Sequence, residues 1–349
     1  TASYNTAIGN AALYVNTTGT TNTALGYQAL TANTTADNNT AVGNQTLASN
    51  TTGAQNIAIG GRSLYTNTTT NNNTAVGYDA LYTNAASNNT AVGRDALRLN
   101  TTGTLNVSVG AFSLDANTTG GSNTALGYES MSANTTGDYN TALGAYALDA
   151  NTTADNNTAI GYLTLSANTT GAGQVAVGAN ALKSNTTGTI NTAVGHNSLH
   201  DNTTGEANTG CGRNTLYSNT TGSNNVAIGY DALVYSNVDH TVAVGHEALM
   251  KNTTGTSNVA VGKRALKENT TGNSNTAIGY ATLIASTTGQ HNTAVGTNSL
   301  QSATTADGNV AVGRDTLVYT TTGAYNTAVG TNALDANTTA NDNTAVGYD

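Results

Sequence analysis

The stretch NTALGYQALTANTTADNNTAVGNQTLASNTTG, residues 22–53, holds nearly the same 17 residues twice. The pattern runs the length of the chain: 21 copies can be aligned on a shared Gly, from Gly9 to Gly347. Eighteen of the 20 intervals between these glycines are 17 residues long and two are 16. So regular a period is typical of a solenoid protein. The consensus is N-T-A-V-G-x-x-A-L-x-x-N-T-T-G-x-x, and its residues are numbered as repeat positions 1 to 17.

The composition argues against ordinary globular domains in this 349-residue chain. It has one Phe, no Trp and no Pro, and only 8% of its residues are charged. Disordered segments are usually rich in charge and Pro, so the bias towards Gly, Asn, Thr and Ala indicates a repetitive ordered structure instead. We therefore expect one repeat domain over residues 1–349. The chain begins inside a repeat, so we expect it to be a segment of a longer fibre protein.

The first five positions of each copy predict a short β-strand that ends at a bend. Position 2 is Thr or a branched aliphatic residue, position 3 is almost always Ala, and position 4 is Val, Ile or Leu except at Cys211. Such alternation favours a strand with positions 2 and 4 on one face. Because position 2 accepts an aliphatic residue in seven copies, we predict that this face points inward and that the Ala column points outward.

The rest of the copy predicts a second short strand around the Leu at position 9, and then an N-T-T-G turn. One copy has too few apolar side chains to offset the entropy of ordering 17 residues. Stacked copies remove that objection, because their strands pair in parallel about 4.8 Å apart and their Leu residues form one column. Asn in register at position 1 can form a hydrogen-bonded ladder. The predicted fold is an all-β parallel β-solenoid, or β-roll, of about 21 coils and roughly 100 Å.

Segments such as NTAVGYDAL (residues 73–81) and NVAVGKRAL (residues 258–266) resemble the repeats of YadA-like adhesin heads and of bacterial and phage fibre proteins. The resemblance covers the whole chain, although the unit of 17 residues is longer than the head repeat. It implies a left-handed homotrimer of β-rolls on a cell surface, in a secreted filament or in a virion fibre. A host-surface or glycan receptor is the partner that such a fibre implies.

Other classes of function find little support in the residues. Ten Lys and Arg residues and a formal charge of −9 provide no basic stripe for nucleic acid. No apolar run reaches membrane-spanning length. The glycine bends at position 5 are not phosphate loops, since no helical pattern follows them. We expect no enzyme activity, no cofactor and no metal site, and we expect Cys211 to be a buried, inert thiol.

Histidine residues and loop Asp residues are the two sets of side chains that could bind a metal. The histidines fall mostly at variable positions, which favours solvated side chains: His196, His200, His240, His246 and His291. Asp recurs in some loops but without the G-G-x-G-x-D framework of calcium-binding rolls, so calcium binding stays open: Asp37, Asp155, Asp307 and Asp342.

Two columns are candidates for display on the rod. N-T-T is a formal N-glycosylation sequon, although it is also good turn chemistry. It gives 15 possible acceptors: Asn16, Asn33, Asn50, Asn67, Asn100, Asn117, Asn134, Asn151, Asn168, Asn185, Asn202, Asn219, Asn252, Asn269 and Asn337. Tyr recurs at position 6, where it would either cover the bend or stack on a sugar. These residues are Tyr27, Tyr78, Tyr128, Tyr162, Tyr230, Tyr280 and Tyr348.

The sequence therefore favours a structural or adhesive extracellular fibre shaft, which works through length and multivalent display. The alternative is an ice-binding solenoid, in which a flat column of Thr orders water. The predicted inward position of Thr at repeat position 2 argues against that alternative.

Overall fold

The computed structural model describes residues 2–349, and these form a parallel β-solenoid of strands and turns with no helix. The predicted fold class is thus confirmed. Each copy of the repeat is one coil with a single three-residue strand. Contacts within the chain divide it into two units, residues 1–174 and residues 175–349.

The strands take up repeat positions 2 to 4 of every coil. In the first unit they are β1 (Thr6–Ile8), β2 (Thr23–Leu25), β3 (Thr40–Val42), β4 (Ile57–Ile59), β5 (Thr74–Val76), β6 (Thr90–Val92), β7 (Val107–Val109), β8 (Thr124–Leu126), β9 (Thr141–Leu143) and β10 (Thr158–Ile160). In the second unit they are β11 (Val175–Val177), β12 (Thr192–Val194), β13 (Thr209–Cys211), β14 (Val226–Ile228), β15 (Val242–Val244), β16 (Val259–Val261), β17 (Thr276–Ile278), β18 (Thr293–Val295), β19 (Val310–Val312), β20 (Thr327–Val329) and β21 (Thr344–Val346).

Within each unit, consecutive strands pair in parallel and in register. Thr23, Ala24 and Leu25 of β2 lie beside Thr40, Ala41 and Val42 of β3, so identical repeat positions form columns. The first of the two 16-residue coils keeps this register, because β5 and β6 align in the same way. The residue lost from that coil comes from its loop, where Asn84-Ala85-Ala86 replaces N-T-T-G. The period thus reflects strand pairing, and the loop absorbs the change in length.

The strand faces the opposite way from our prediction. The residue at position 3 is buried in the coil interior, as at Ala24 and Ala41, while positions 2 and 4 are exposed or partly exposed. The predictions of an inward position 2 and an outward Ala column are therefore wrong. The interior of a 17-residue coil is so narrow that only a small side chain fits on the strand. At Gly210, for example, an added Cβ would lie only 2.5 Å from Ser198 Oγ.

The predicted second strand is also absent from the described residues, although its Leu column is buried as expected. Leu30, Leu47 and their counterparts at position 9 are fully buried, apart from Leu13 and Leu334 in the terminal coils. Two residues there are left-handed, Gln28 with φ of 54° and Leu30 with φ of 50°, and Ala29 between them is not. The N–H groups of these two residues bond to opposite neighbouring coils: Gln28 N donates to Asn10 O at 2.9 Å, and Leu30 N donates to Thr46 O at 3.0 Å. The segment joins adjacent coils without being a β-strand.

The Gly at position 5, where the predicted bend lies, is required by both conformation and space. Gly26 has φ of 137°, a region that side chains disfavour. A Cβ on Gly26 would lie 2.2 Å from the carbonyl oxygen of Gly43 in the next coil. A residue with a Cβ would be strained at this φ and would clash with the next coil, which explains why position 5 is Gly in all 21 copies.

Two buried columns of Asn hold each coil to its neighbours. At position 1, Asn22 Oδ1 accepts from Asn39 N at 2.9 Å, and Asn22 Nδ2 donates to Ala36 O at 2.8 Å. At position 12, Asn33 Nδ2 donates to Asn16 Oδ1 at 3.0 Å and to the same Ala36 carbonyl at 3.1 Å. The predicted Asn ladder is therefore confirmed as structural. Its amide-to-amide bonds run mainly along position 12, however, whereas position 1 chiefly bonds the backbone.

Candidate functional site

In each unit, the outward face of the strands carries a continuous column of apolar side chains. We call this column, the position 4 residue of every strand, the apolar stripe. In the first unit it consists of Ile8, Leu25, Val42, Ile59, Val76, Val92, Val109, Leu126, Leu143 and Ile160. In the second unit it consists of Val177, Val194, Cys211, Ile228, Val244, Val261, Ile278, Val295, Val312, Val329 and Val346.

Twelve of the 21 side chains of the apolar stripe are exposed and the other nine are partly buried, despite their apolar composition. Leu25 is 43% exposed, Leu126 42% and Ile228 40%. Ten or eleven side chains in register, each exposed or partly exposed, leave on the order of several hundred Å² of contiguous apolar surface on each unit, which is the size of patch that marks interaction sites on soluble proteins. Within each unit, the strands carry this surface on the side that faces away from the coil interior.

Strand propensity does not account for the composition of the stripe. Thr and Val are both β-branched and both favour strands. Thr fills 14 of the 21 outward places at position 2, yet none of the 21 at position 4. The two positions lie on the same face, two residues apart, so a general preference for β-branched residues would treat them alike. Position 4 therefore excludes Thr for a reason other than strand propensity.

Cys211 belongs to this stripe, which corrects our prediction of a buried thiol. It is the one free cysteine and it is exposed on β13. The prediction failed because it followed from the inverted assignment of the strand face. Cys211 takes the place of a Val, so the thiol continues the apolar column.

The sequon asparagines lie mostly inside the coils. Thirteen of the 15 are buried, and the two partly buried ones, Asn16 and Asn337, belong to terminal coils. Asn134 Nδ2, the atom that a glycan would modify, donates to Asn117 Oδ1 at 2.9 Å and to Gly137 O at 3.1 Å. A glycan at such a site would displace both bonds. Glycosylation itself stays a prediction, which intact-mass measurement would check.

Loop carboxylates cap the backbone of the preceding coil. Asp37 Oδ1 accepts from Thr20 N at 2.6 Å and from Thr20 Oγ1 at 2.8 Å, and these bonds lower the pKa of Asp37. Asp155 and Asp307 accept backbone N–H groups in the same way, at 2.7 Å. These acidic residues thus have a structural explanation, and no pattern along the chain indicated their capping contacts.

The titratable residues do not assemble into a metal centre in the described part of the chain. Within residues 2–349, no group of three or more His, Cys, Asp or Glu side chains is placed to hold an ion. His200 Nδ1 instead contacts Asp201 Oδ1 at 2.6 Å, and its ring stacks on Tyr217 with centroids 4.9 Å apart. Burial raises the pKa of Asp115 and of Asp149, which lie at position 10 of their coils.

The Tyr residues at position 6 are about half exposed, from 44% at Tyr128 to 53% at Tyr162, apart from the terminal Tyr348. Some join aromatic chains from coil to coil: Tyr128 contacts Phe112 and Tyr146 edge-to-face, with centroids 6.1 and 5.5 Å apart. Both predicted roles, covering the bend and offering a ring to a ligand, fit half-exposed rings.

Comparison with known proteins does not assign the chain to a family. The sequence matches no model of a protein family, and no curated protein is significantly similar to it. Nor do the described residues contain a helix that is long and apolar enough to cross a membrane.

Proposed function

We propose that the chain is a structural shaft segment of an extracellular fibre, whose copies associate side by side through the apolar stripe. The observation that carries this proposal is the exclusion of Thr from position 4 on a face that accepts Thr at position 2. A partner that buries position 4 and leaves position 2 at the rim explains both columns. That partner is a second copy of the chain, because a repeating stripe is complementary in spacing to another stripe of the same period.

The resemblance to YadA-like heads adds that the assembly is a left-handed homotrimer and lies outside the cell. A three-fold arrangement would gather three apolar stripes around one axis and leave the remaining faces in solvent. Such a rod acts through stiffness and repeated display, without catalysis.

The oligomeric mass of the purified chain tests this proposal. Light scattering after gel filtration should give a multiple of the 35.0 kDa of one chain, three times that mass for the trimer. Replacing Val244, Val261 and Ile278 by Glu puts three charges on the stripe, and we expect this variant to be monomeric, because burying those charges in an interface is costly.

A matched control places the same charges elsewhere on the same unit. Thr254, Thr271 and Thr288 are exposed loop residues at position 14, and their replacement by Glu should leave the oligomer intact. A monomeric wild-type chain at high concentration, or dissociation by both triple variants alike, would contradict association through the stripe.

A second candidate, ice binding, gains support from the corrected strand orientation. Thr at position 2 faces outward, and eight of the ten strands in the first unit have Thr there. These residues form one column in which the strands are about 4.8 Å apart. The two functions compete for one face, because association through the stripe would cover the adjoining Thr column. Thermal hysteresis from a monomeric chain would favour ice binding; a stable oligomer without hysteresis would favour the fibre.

A further inference from the structure

The second unit contains a shallow groove, built by three neighbouring coils on a face that does not include the apolar stripe. Asn197, Arg213, Asn214, Tyr217 and Tyr235 line it, at repeat positions 6, 7, 10 and 11. These positions vary from coil to coil, so the same set of side chains does not recur elsewhere in the repeat array. A site of this kind is present once per chain.

Arg213 is the unusual member of the groove, because its charge is not neutralised. Among residues 2–349, the other five arginines each lie within 4.0 Å of a carboxylate: Arg62, Arg94, Arg98, Arg264 and Arg314. Arg213 forms no such ion pair and is exposed. Its guanidinium lies over the Tyr230 ring, 5.7 Å from the centroid, which orients it while leaving its N–H groups available.

The amides beside Arg213 are held in place. Asn180 Nδ2 donates to Asn197 Oδ1 at 3.2 Å, Asn197 Nδ2 approaches Asn214 Oδ1 at 3.4 Å, and Asn214 Nδ2 donates to Asp231 Oδ1 at 2.9 Å. Each amide in this chain keeps hydrogen-bonding capacity for a ligand. The nearby acids are engaged: Asp231 accepts from Asn214, and Asp201 contacts His200.

The remaining wall of the groove is aromatic. Tyr235 is 55% exposed, and Tyr217 is fixed by its stacking on His200. An open groove that combines exposed Tyr rings with fixed amides suits a pyranose, whose C–H face packs on a ring while its hydroxyls exchange hydrogen bonds. An unpaired guanidinium adds a planar fork that matches a carboxylate.

We infer that this groove binds a carboxylate-bearing carbohydrate, with Arg213 contacting the carboxylate and Tyr235 stacking on a sugar ring. The inference goes beyond the proposed shaft function, since the groove belongs to single chains and would be occupied in monomer and oligomer alike. Display of one such groove per copy would make an assembled rod multivalent.

Binding of tri-galacturonate, followed by NMR or calorimetry, tests the inference, with its fully methyl-esterified form as the matched probe. We expect one site per chain for the acid and at least about 10-fold weaker binding of the ester, because esterification neutralises the carboxylate that Arg213 pairs with and leaves the sugar rings and their hydroxyls in place. Arg213→Gln should weaken binding of the acid by a similar factor, and Arg213→Lys should restore it only in part.

Arg94→Gln is the control, because Arg94 also lies at position 6 and over an aromatic ring but is already paired with Asp95. It should leave binding unchanged. Equal affinity for acid and ester, an unaffected Arg213→Gln variant, no binding at millimolar sugar, or equally tight binding of an oligoglutamate peptide would each overturn the inference. Because the stripe variants leave the groove intact, loss of oligomer with retained sugar binding would separate this inference from the shaft function.

Discussion

The side chain that best explains how this chain folds is the Asn at position 12. Its amide supplies a donor and an acceptor in a space that excludes water, and the adjacent coils provide the matching groups. Asn134 donates to Asn117 Oδ1 and to Gly137 O, and its Oδ1 accepts from Asn151 Nδ2 at 2.9 Å. Aliphatic side chains of similar size would fill the same volume without joining the coils.

Asn134→Asp tests this role at constant shape. The change removes both donors and places a charge in the buried ladder, so we expect a loss of about 3 kcal/mol or more in the free energy of unfolding at neutral pH. The loss should shrink below the ordinary pKa of Asp, because the new carboxyl is then neutral. Thermal and denaturant unfolding at both pH values would measure it.

Asn156→Asp provides the control for that measurement. Asn156 is exposed at position 17 with φ of 60°, a conformation that Asp also tolerates, and it lies outside both buried Asn columns. Its replacement should change stability by no more than about 0.5 kcal/mol. Equal effects of the two substitutions would show that the buried ladder contributes nothing specific.

The element that defines each coil is a strand of only three residues, and its orientation follows from size more than from hydrophobicity. Ala159 on β10 is fully buried, whereas Thr158 before it is only partly buried. In a sheet that packs on another sheet, the larger aliphatic residues would face the core. Here the opposite face of the coil is too close for them, and the Leu at position 9 fills most of the remaining space.

A matched pair of substitutions on β10 tests this orientation. Ala159→Val should overpack the interior and cost about 1–3 kcal/mol. Thr158→Val replaces a hydroxyl by a methyl group on the outward face. Six other coils already have Val at this position, so the change in stability should be close to zero. Unfolding midpoints that rank the two variants in the opposite order would contradict the inward Ala column.

Some features of the fold could be predicted from the sequence, and the orientation of the strand could not. The period, the parallel register, the Leu column and the Gly at position 5 could be predicted, because each depends on copies repeating identical chemistry. The orientation of the strand could not be read from the Thr-to-Val exchange at position 2, because exposed and buried strand positions both accept these residues. The better signal was that position 3 is always Ala, Ser or Gly, since uniform smallness reflects a confined interior.

The candidate surfaces were predictable to different degrees. The apolar stripe was contained in the sequence but assigned to the wrong face. The groove at Arg213 depends on side chains from coils that are 17 residues apart and on which arginines find carboxylates, and neither property has a pattern along the chain. Columns of residues at one repeat position can therefore be predicted from the sequence. Sites that are built from the variable positions can be identified only from the structure.

Across each whole unit, stability is built from nearest neighbours. Every strand contacts the strands directly before and after it within the unit, and strands further along the stack do not touch it. Free energy is then approximately a sum of coil terms and coil–coil interfaces. A chain of this kind should accept the loss of an entire coil but not of a fraction of one.

Deleting residues 124–140 removes one coil of 17 residues and joins Asn123 to Thr141, so that position 1 is again followed by position 2. We expect the shortened chain to keep its β circular-dichroism spectrum and to melt within about 5 °C of the wild type, because one interface replaces two and every column continues.

Deleting residues 124–131 is the control, because it removes β8 and its Met131 core residue while leaving the rest of the loop behind. This shorter deletion should lower the melting temperature more and should abolish hydrogen-exchange protection in the flanking coils, since the Asn, Ala and Leu columns can no longer align. A 17-residue deletion that unfolds the unit as severely as this shorter one would show that the coils do not stack as interchangeable units.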